Sequence, residues 1–91
     1  MRFRIPEGVV FETIDDEMVL LNLNSGTYFK LNATGHRIWS LIQERGDSDY
    51  VIDQMTGTFS VDRAVVERDL EALVNELQAH GLLSIASDGD D

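Results

Sequence analysis

The apolar pattern of this 91-residue chain changes its period at Leu31 and Asn32, and that switch limits what the chain can fold into. Upstream of it, apolar residues come in short runs. Val9, Val10, Phe11, Thr13 and Ile14 make a β-branched and aromatic run around Glu12. Residues 18–23 make a second run, too short for a helix of its own, and residues 27–31 make a third. Asp15, Asp16 and Glu17 form a polar turn between the first two. Asn24, Ser25 and Gly26 read as a hairpin loop before the third, with Gly26 suited to a left-handed position. Three strands in an antiparallel meander are expected.

Downstream, the spacing becomes helical. Asn32 is a candidate N-cap, and Ile38, Leu41 and Ile42 recur at helical spacing up to Gly46, with Trp39 on their flank. A second helix is expected over residues 49–56, capped by Ser48 and closed by Gly57, giving Ile52 and Met55 to the core. Ser60 is expected to cap a third helix over residues 61–80, with Asp62 in its first turn and Gly81 as its stop. Residues 82–85 read as a last short extended segment and residues 87–91 as an acidic, disordered tail. Strands followed by helices give an α+β class. The expected architecture is winged helix-turn-helix-like, a three-stranded antiparallel sheet followed by three helices, in one domain over residues 1–86.

Composition removes most chemistries. The chain has no Cys, which excludes a disulfide scaffold, a zinc finger and a thiol nucleophile. Its two histidines lie on different expected helices, His36 opposite the Ile38 and Ile42 stripe and His80 at a helix end. There is no Gly-rich phosphate loop, and residues 88–91 resemble only a fragment of a calcium loop that lacks its closing Glu. No catalysis, metal or cofactor is expected. Seven Lys and Arg against 17 Asp and Glu give a formal net charge of −10. That balance argues against nucleic acid and against an anionic membrane surface as partners. No apolar run reaches the length of a membrane span and no signal-peptide pattern opens the chain, so a cytoplasmic protein is expected.

What stands out is apolar surface beyond one core. Residues 18–23 place Val19, Leu21 and Leu23 on one face and Met18 and Leu20 on the other. One face can lie under the helices, and a homodimer through the Met18 and Leu20 face is one expectation for the surplus. In the third helix, Val66, Leu70, Leu73 and Leu77 form one stripe. Val74 lies to one side of Leu70, together with Arg63 and Glu67. That edge reads as one wall of a groove whose other wall is the third strand, Thr27, Tyr28, Phe29, Lys30 and Leu31, provided this strand borders the sheet. An edge strand beside a helix receives an extended peptide: unpaired backbone groups bind it and pockets read alternate side chains. A winged-helix DNA regulator shares the element order, but Asp62, Glu67, Asp69, Glu71 and Glu76 against Arg63 and Arg68 would repel that helix from a major groove.

The run from Met18 through the Gly26-Thr27-Tyr28 hairpin to Leu31-Asn32-Ala33-Thr34-Gly35 and Ile38-Trp39 resembles the PqqD-like family. Asp69-Leu70, Leu73, Leu77 and Gly81-Leu82-Leu83 are similar to that family's closing helix and ending. The resemblance implies a recognition element for ribosomally made, post-translationally modified peptides. Such domains bind the leader segment of a precursor peptide as a strand added to the third strand, packed against the third helix. Peptide binding is accordingly expected at Thr27, Tyr28, Phe29, Lys30 and Leu31, with Val66, Leu70 and Val74 as the apolar floor or wall and Arg63 and Glu67 at the rim. The quinone-cofactor subgroup usually carries a Tyr-Pro-Glu-Gly stretch before its Leu-Asn element, and this chain has Asn-Ser-Gly-Thr-Tyr-Phe-Lys there. The implied reading is therefore a stand-alone leader-binding protein of lasso-peptide biosynthesis, with a leader peptidase and a cyclase as partners. A peptide chaperone for a radical SAM enzyme is the alternative.

Overall fold

The computed structural model describes residues 1–58 and 61–86. Its elements run β1 (Arg2–Arg4), β2 (Val9–Ile14), β3 (Glu17–Asn22), β4 (Tyr28–Leu31), α1 (Ala33–Arg45), α2 (Ser48–Thr58), α3 (Arg63–Ala79) and β5 (Ser84–Ala86). The expected meander is present as an antiparallel sheet in the order β2-β3-β4. Asp15, at φ 57, makes the tight turn between β2 and β3, and Gly26, at φ 77, the turn before β4. The class is α+β.

The meander's two faces differ sharply. Leu20 is opposite Phe11 on one side and Phe29 on the other, so these three side chains share a face, as do Met18 and Leu31. Met18 and Leu20 are buried under the helices, with Leu20 fully inaccessible. This overturns the expectation of a dimer through Met18 and Leu20: they are core. The surplus apolar face is the other one, which carries Val10, Leu21 and Tyr28 in one cross-strand row.

A second sheet was not expected. β1 pairs antiparallel with β5, Phe3 facing Ile85. Phe3 also donates its N–H to the Gly46 carbonyl at 2.8 Å, and Ser48 donates to the Met1 carbonyl at 2.9 Å. The N-terminus thereby ties the α1–α2 corner to the end of the chain. Gly46 sits at φ 64, and a Cβ there would come within 3.0 Å of the Phe3 carbonyl, so both the turn and the close approach require glycine. At the same corner the Tyr50 hydroxyl donates to Glu44 Oε1 at 2.6 Å, which pushes the phenol's pKa up, while Arg45 lies 5.0 Å over its ring.

Helix ends differ from expectation in instructive ways. Asn32 caps α1 as expected, its Oδ1 accepting from the Gly35 N–H at 2.8 Å. The cap of α2 is Asp47, whose Oδ1 accepts from the Asp49 N–H; Ser48 is already helical. Gly57 does not close α2, which continues through it. Asp62, not the first turn, is the N-cap position of α3, and Val61 precedes the helix. The expected capping role of Ser60 and the expected tail over residues 87–91 lie outside the described residues. At the other end of α3, Leu82 donates to the Leu77 carbonyl and Gly81, at φ 71, donates to that of Gln78. This paired closure needs the left-handed glycine and turns the fully buried Leu82 into the core.

Trp39, expected on a flank, is the centre of the core with no accessible surface. Among the described residues its indole Nε1 is the buried side-chain atom left without a hydrogen-bond partner. In the same core cluster, Leu20, Leu41, Leu77, Val51 and Val74 are all but inaccessible. Leu20→Ala should cost about 2–5 kcal/mol. Val19→Ala, on the outer face of the same strand, should cost about 1 kcal/mol or less. Urea denaturation of the two variants checks which face of β3 holds the fold.

Candidate functional site

The β4 strand borders its sheet. β3 lies on one side of it and, among the described residues, no strand lies on the other. The ladder's phase follows from the hairpin, where Asn22 donates its N–H to the Thr27 carbonyl at 2.8 Å. Hydrogen-bonded pairs then recur at Leu20 with Phe29 and at Met18 with Leu31. Tyr28 and Lys30 occupy the intervening positions, so their N–H and C=O groups point away from β3 to the open border. A partner strand would find its backbone bonds at these two residues.

Helix α3 supplies a wall alongside. Its C-terminal end lies by the start of β4: Thr27, Ala79, His80 and Gly81 line one cleft of about 360 Å³. The Phe29 ring is 5.2 Å from the His80 ring, tilted by 57°. His80 Nδ1 is 2.7 Å from the Glu76 carbonyl, a contact with the last turn of its own helix. Further along, Asn32, Gly35, Asp69 and Leu73 line a second cleft of about 360 Å³. It continues past Thr34, Ile38 and Asp69 into a third, about 240 Å³, walled by Val61, Val65 and Met55. The second and third clefts are continuous between α1 and α3 through Thr34, Ile38 and Asp69, and the first opens at the end of α3 next to the start of β4.

Two contacts fix β4 and its hairpin against α3 and α1. Asn22 Nδ2 donates to the Gly81 carbonyl at 2.8 Å, joining the β3–β4 hairpin to the end of α3. The same side chain's Oδ1 accepts from the N–H groups of Asn24 and Ser25, so it also shapes the hairpin. At the other end, a Cβ on Gly35 would meet the Leu31 side chain at 3.1 Å. The Leu-Asn-Xaa-Xaa-Gly element is thus one mechanical unit: Leu31 is buried, Asn32 caps α1 on the Gly35 amide, and Gly35 lets α1 press against Leu31.

The structure divides the site residues named from sequence. Tyr28, Phe29, Lys30 and Leu31 form β4, with Thr27 just before it. Phe29 is half-buried on the inner face and Leu31 belongs to the core. Lys30 points to the outer face, where it pairs with Glu17 at 3.4 Å. Of the α3 residues, Val66, Leu70 and Val74 are core, each at most 5% exposed, and Val66 also lines the third cleft. Arg63 pairs with Asp53 of α2 at 2.9 Å and with Glu67 at 3.3 Å, and the Asp53 hydrogen bond pushes the guanidinium pKa up. Glu67 lines a recess with Ile52, Leu70 and Val74 beside α2. So Arg63 and Glu67 lie on the α2 side of the helix, Val65, Asp69 and Leu73 line the clefts it shares with α1, and His80 meets Phe29 of β4. The stripe put Leu73 in the core and Val74 at its edge; the packing reverses the two. Asn22 and Gly81 were missed as a pair because 59 residues separate them.

The described residues contain no group of three or more His, Asp or Glu placed to hold a metal ion. No helix among them is long and apolar enough to cross a membrane.

A family model described as "Coenzyme PQQ synthesis protein D (PqqD)" matches residues 17–83. Among solved structures, "TbiB1 in Complex with the TbiA(beta) Leader Peptide" is 45% identical, with a TM-score of 0.84 over 93% of this chain and 99% of that one. "Lasso peptide synthetase B1 complexed with the leader peptide" is 30% identical, with a TM-score of 0.83 over 93% and 100%. A comparison with curated protein sequences gives no match.

Asn22→Ala should cost about 1 kcal/mol and release the hairpin from α3. Loss of the ring-current shift that Phe29 imposes on the His80 imidazole signals, followed by NMR, checks that release.

Proposed function

This chain belongs to the PqqD family, and from that premise we propose that it recognises the leader segment of a precursor peptide in lasso-peptide biosynthesis. The observation that carries the proposal is the open border of β4 facing a clefted α3 wall, in a fold shared along nearly its whole length with two solved leader-peptide complexes. The leader adds to the sheet as a strand. It exchanges backbone hydrogen bonds with Tyr28 and Lys30 and lays alternate side chains into the clefts beside Val65, Asp69, Leu73 and His80. Thr27, Phe29 and Leu31 hold the strand's register, and Val66, Leu70 and Val74 are the packed floor that fixes α3 behind the clefts.

Burying two or three apolar leader side chains at roughly 1.5–3 kcal/mol each, less the cost of ordering the peptide, supports affinities between micromolar and nanomolar. Such a site needs no reacting group and no cofactor. We therefore propose an adaptor, residues 1–86 acting as one leader-binding unit in the cytoplasm, that hands the precursor to a leader peptidase and a cyclase. The lasso pathway is preferred over a radical SAM quinone pathway because one leader-complex relative, 30% identical to this chain over nearly its whole length, is described as a lasso peptide synthetase B1. DNA binding is disfavoured because Asp69, on the face of α3 nearest the clefts, would meet phosphates with like charge.

Titration of the leader peptide by calorimetry tests the proposal. Lys30→Pro removes an outward N–H without touching the ladder to β3 and should abolish binding while the thermal midpoint stays within a few degrees. Leu73→Asp should weaken binding at least tenfold, and Arg63→Ala should change it less than twofold.

A further inference from the structure

The cleft at the start of β4 holds two hydrogen-bonding groups that the fold leaves unused. Asn22, Ser25 and Thr27 line it from the hairpin, and Ala79, His80 and Gly81 from the end of α3. His80 Nδ1 lies 2.7 Å from the Glu76 carbonyl oxygen. A carbonyl oxygen only accepts, so Nδ1 carries the proton and Nε2 of the neutral imidazole is a bare acceptor. Phe29 steadies the ring from the side, 5.2 Å between centroids. On the hairpin wall, the Ser25 hydroxyl accepts from the Thr27 N–H at 3.3 Å and donates to Thr27 Oγ1 at 3.0 Å. The Thr27 hydroxyl's own proton has no partner among the described residues, and neither has His80 Nε2. We infer that this cleft reads a carboxamide, an Asn or Gln side chain of the leader, with His80 and Thr27 as the specificity-determining pair; the inference rests on the leader-binding reading above.

Donor and acceptor count selects the occupant. One wall offers an acceptor and the other a donor. A carboxamide answers both, its NH2 donating to His80 Nε2 and its carbonyl accepting from the Thr27 hydroxyl. A carboxylate only accepts, so it sets its lone pairs against that of Nε2, and the formal net charge of −10 adds repulsion. An ammonium only donates and leaves Thr27 unanswered. An apolar side chain strips water from both groups and returns nothing. A hydroxyl donates and accepts through a single oxygen. The cleft, about 360 Å³, is many times the roughly 30 Å³ share of one water, so a group with donor and acceptor on separate atoms spans it better. Asn22 also lines this cleft, but its side chain is already engaged with Gly81, Asn24 and Ser25.

The position of the cleft gives the reading its use. β4 starts beside it and ends at Leu31, and the next residue, Asn32, lines the clefts between α1 and α3. A leader on the β4 border therefore passes a polar cleft at one end and, at the other, clefts that lead to Val61, Val65 and Met55. Extended chain rises about 3.3 Å per residue, so the carboxamide belongs about five residues along the leader from its apolar anchor. Backbone pairing at Tyr28 and Lys30 is blind to sequence. Two unlike ends fix register and direction, because a slipped or reversed leader leaves a polar group unpaired among apolar side chains.

The test is a positional scan of the synthetic leader peptide, each position replaced in turn by Gln, Ser, Leu and Glu, titrated by calorimetry against the full chain. At one position the wild type should bind the Gln peptide about fivefold more tightly than the Leu or Ser peptide and at least tenfold more tightly than the Glu peptide. His80→Asn keeps a donor near the Glu76 carbonyl but has no atom in the place of Nε2, and should erase that preference while the Leu peptide's affinity changes less than twofold. His80→Gln returns a carbonyl or amide to that place and should restore most of the preference. Thr27→Val, which removes only the hydroxyl, should weaken the preference at the same position. A scan with no position favouring Gln, a preference that survives both His80→Asn and Thr27→Val, or a loss with His80→Asn that is equal for all four peptides overturns the inference and leaves leader binding standing. Failure of the wild type to bind any leader peptide removes the underlying reading and this inference with it.

Discussion

The structure depends on how β4 is held. One edge pairs with β3, and Leu31 on its inner face is sunk in the core beside Met18. The hairpin before it is tied to α3 through Asn22 and Gly81, and α1 begins directly after it on the Asn32 cap. Three sides of the strand are therefore fixed, and the fourth is a row of backbone groups aimed into space. An unprotected border of this kind is an aggregation hazard, and proteins usually blunt one. Here the strand is only four residues long, its outward positions include Lys30, and α3 flanks it, which limits the hazard without closing the border.

That arrangement explains why a small acidic domain can be specific without a catalytic constellation. In the proposed function, backbone pairing at Tyr28 and Lys30 supplies affinity for any extended segment. Selection falls to the clefts: an opening beside the Phe29–His80 ring contact, a carboxylate at Asp69, and an apolar end beneath Val61 and Val65. Because α3 presents both its core residues and its cleft residues on adjacent stripes, packing and recognition are set by the same helix. Leu70 and Val74 anchor it, and Val65 and Leu73 line the clefts proposed to receive the leader.

Much of this was legible in the sequence because local physics decided it. The three strands, the Gly26 turn, the Asn32 cap and the Gly81 stop each depend on residues within a few positions of one another. The open border also followed from the order of the meander. What escaped were long-range choices. β1 is three residues of Arg-Phe-Arg, and nothing local marks it; it becomes a strand because β5, over 80 residues away, pairs with it. The face of β3 that lies inward could not be told from Met18, Leu20, Val19 and Leu21, since both sets are apolar. The broad stripe on α3 likewise hid which edge meets the sheet, and Arg63 and Glu67 proved to belong to the α2 side through Asp53.

The most direct measurement is amide hydrogen exchange along the meander, with and without the leader peptide. Strand addition at β4 requires the Tyr28 and Lys30 amides, open in the free protein, to become strongly protected when the peptide binds. The outward amides of the opposite border, Phe11 and Thr13, should keep their free rates. Protection at Phe11 and Thr13 instead, or binding that leaves Tyr28 and Lys30 exchanging as before, would contradict β4 as the receiving strand.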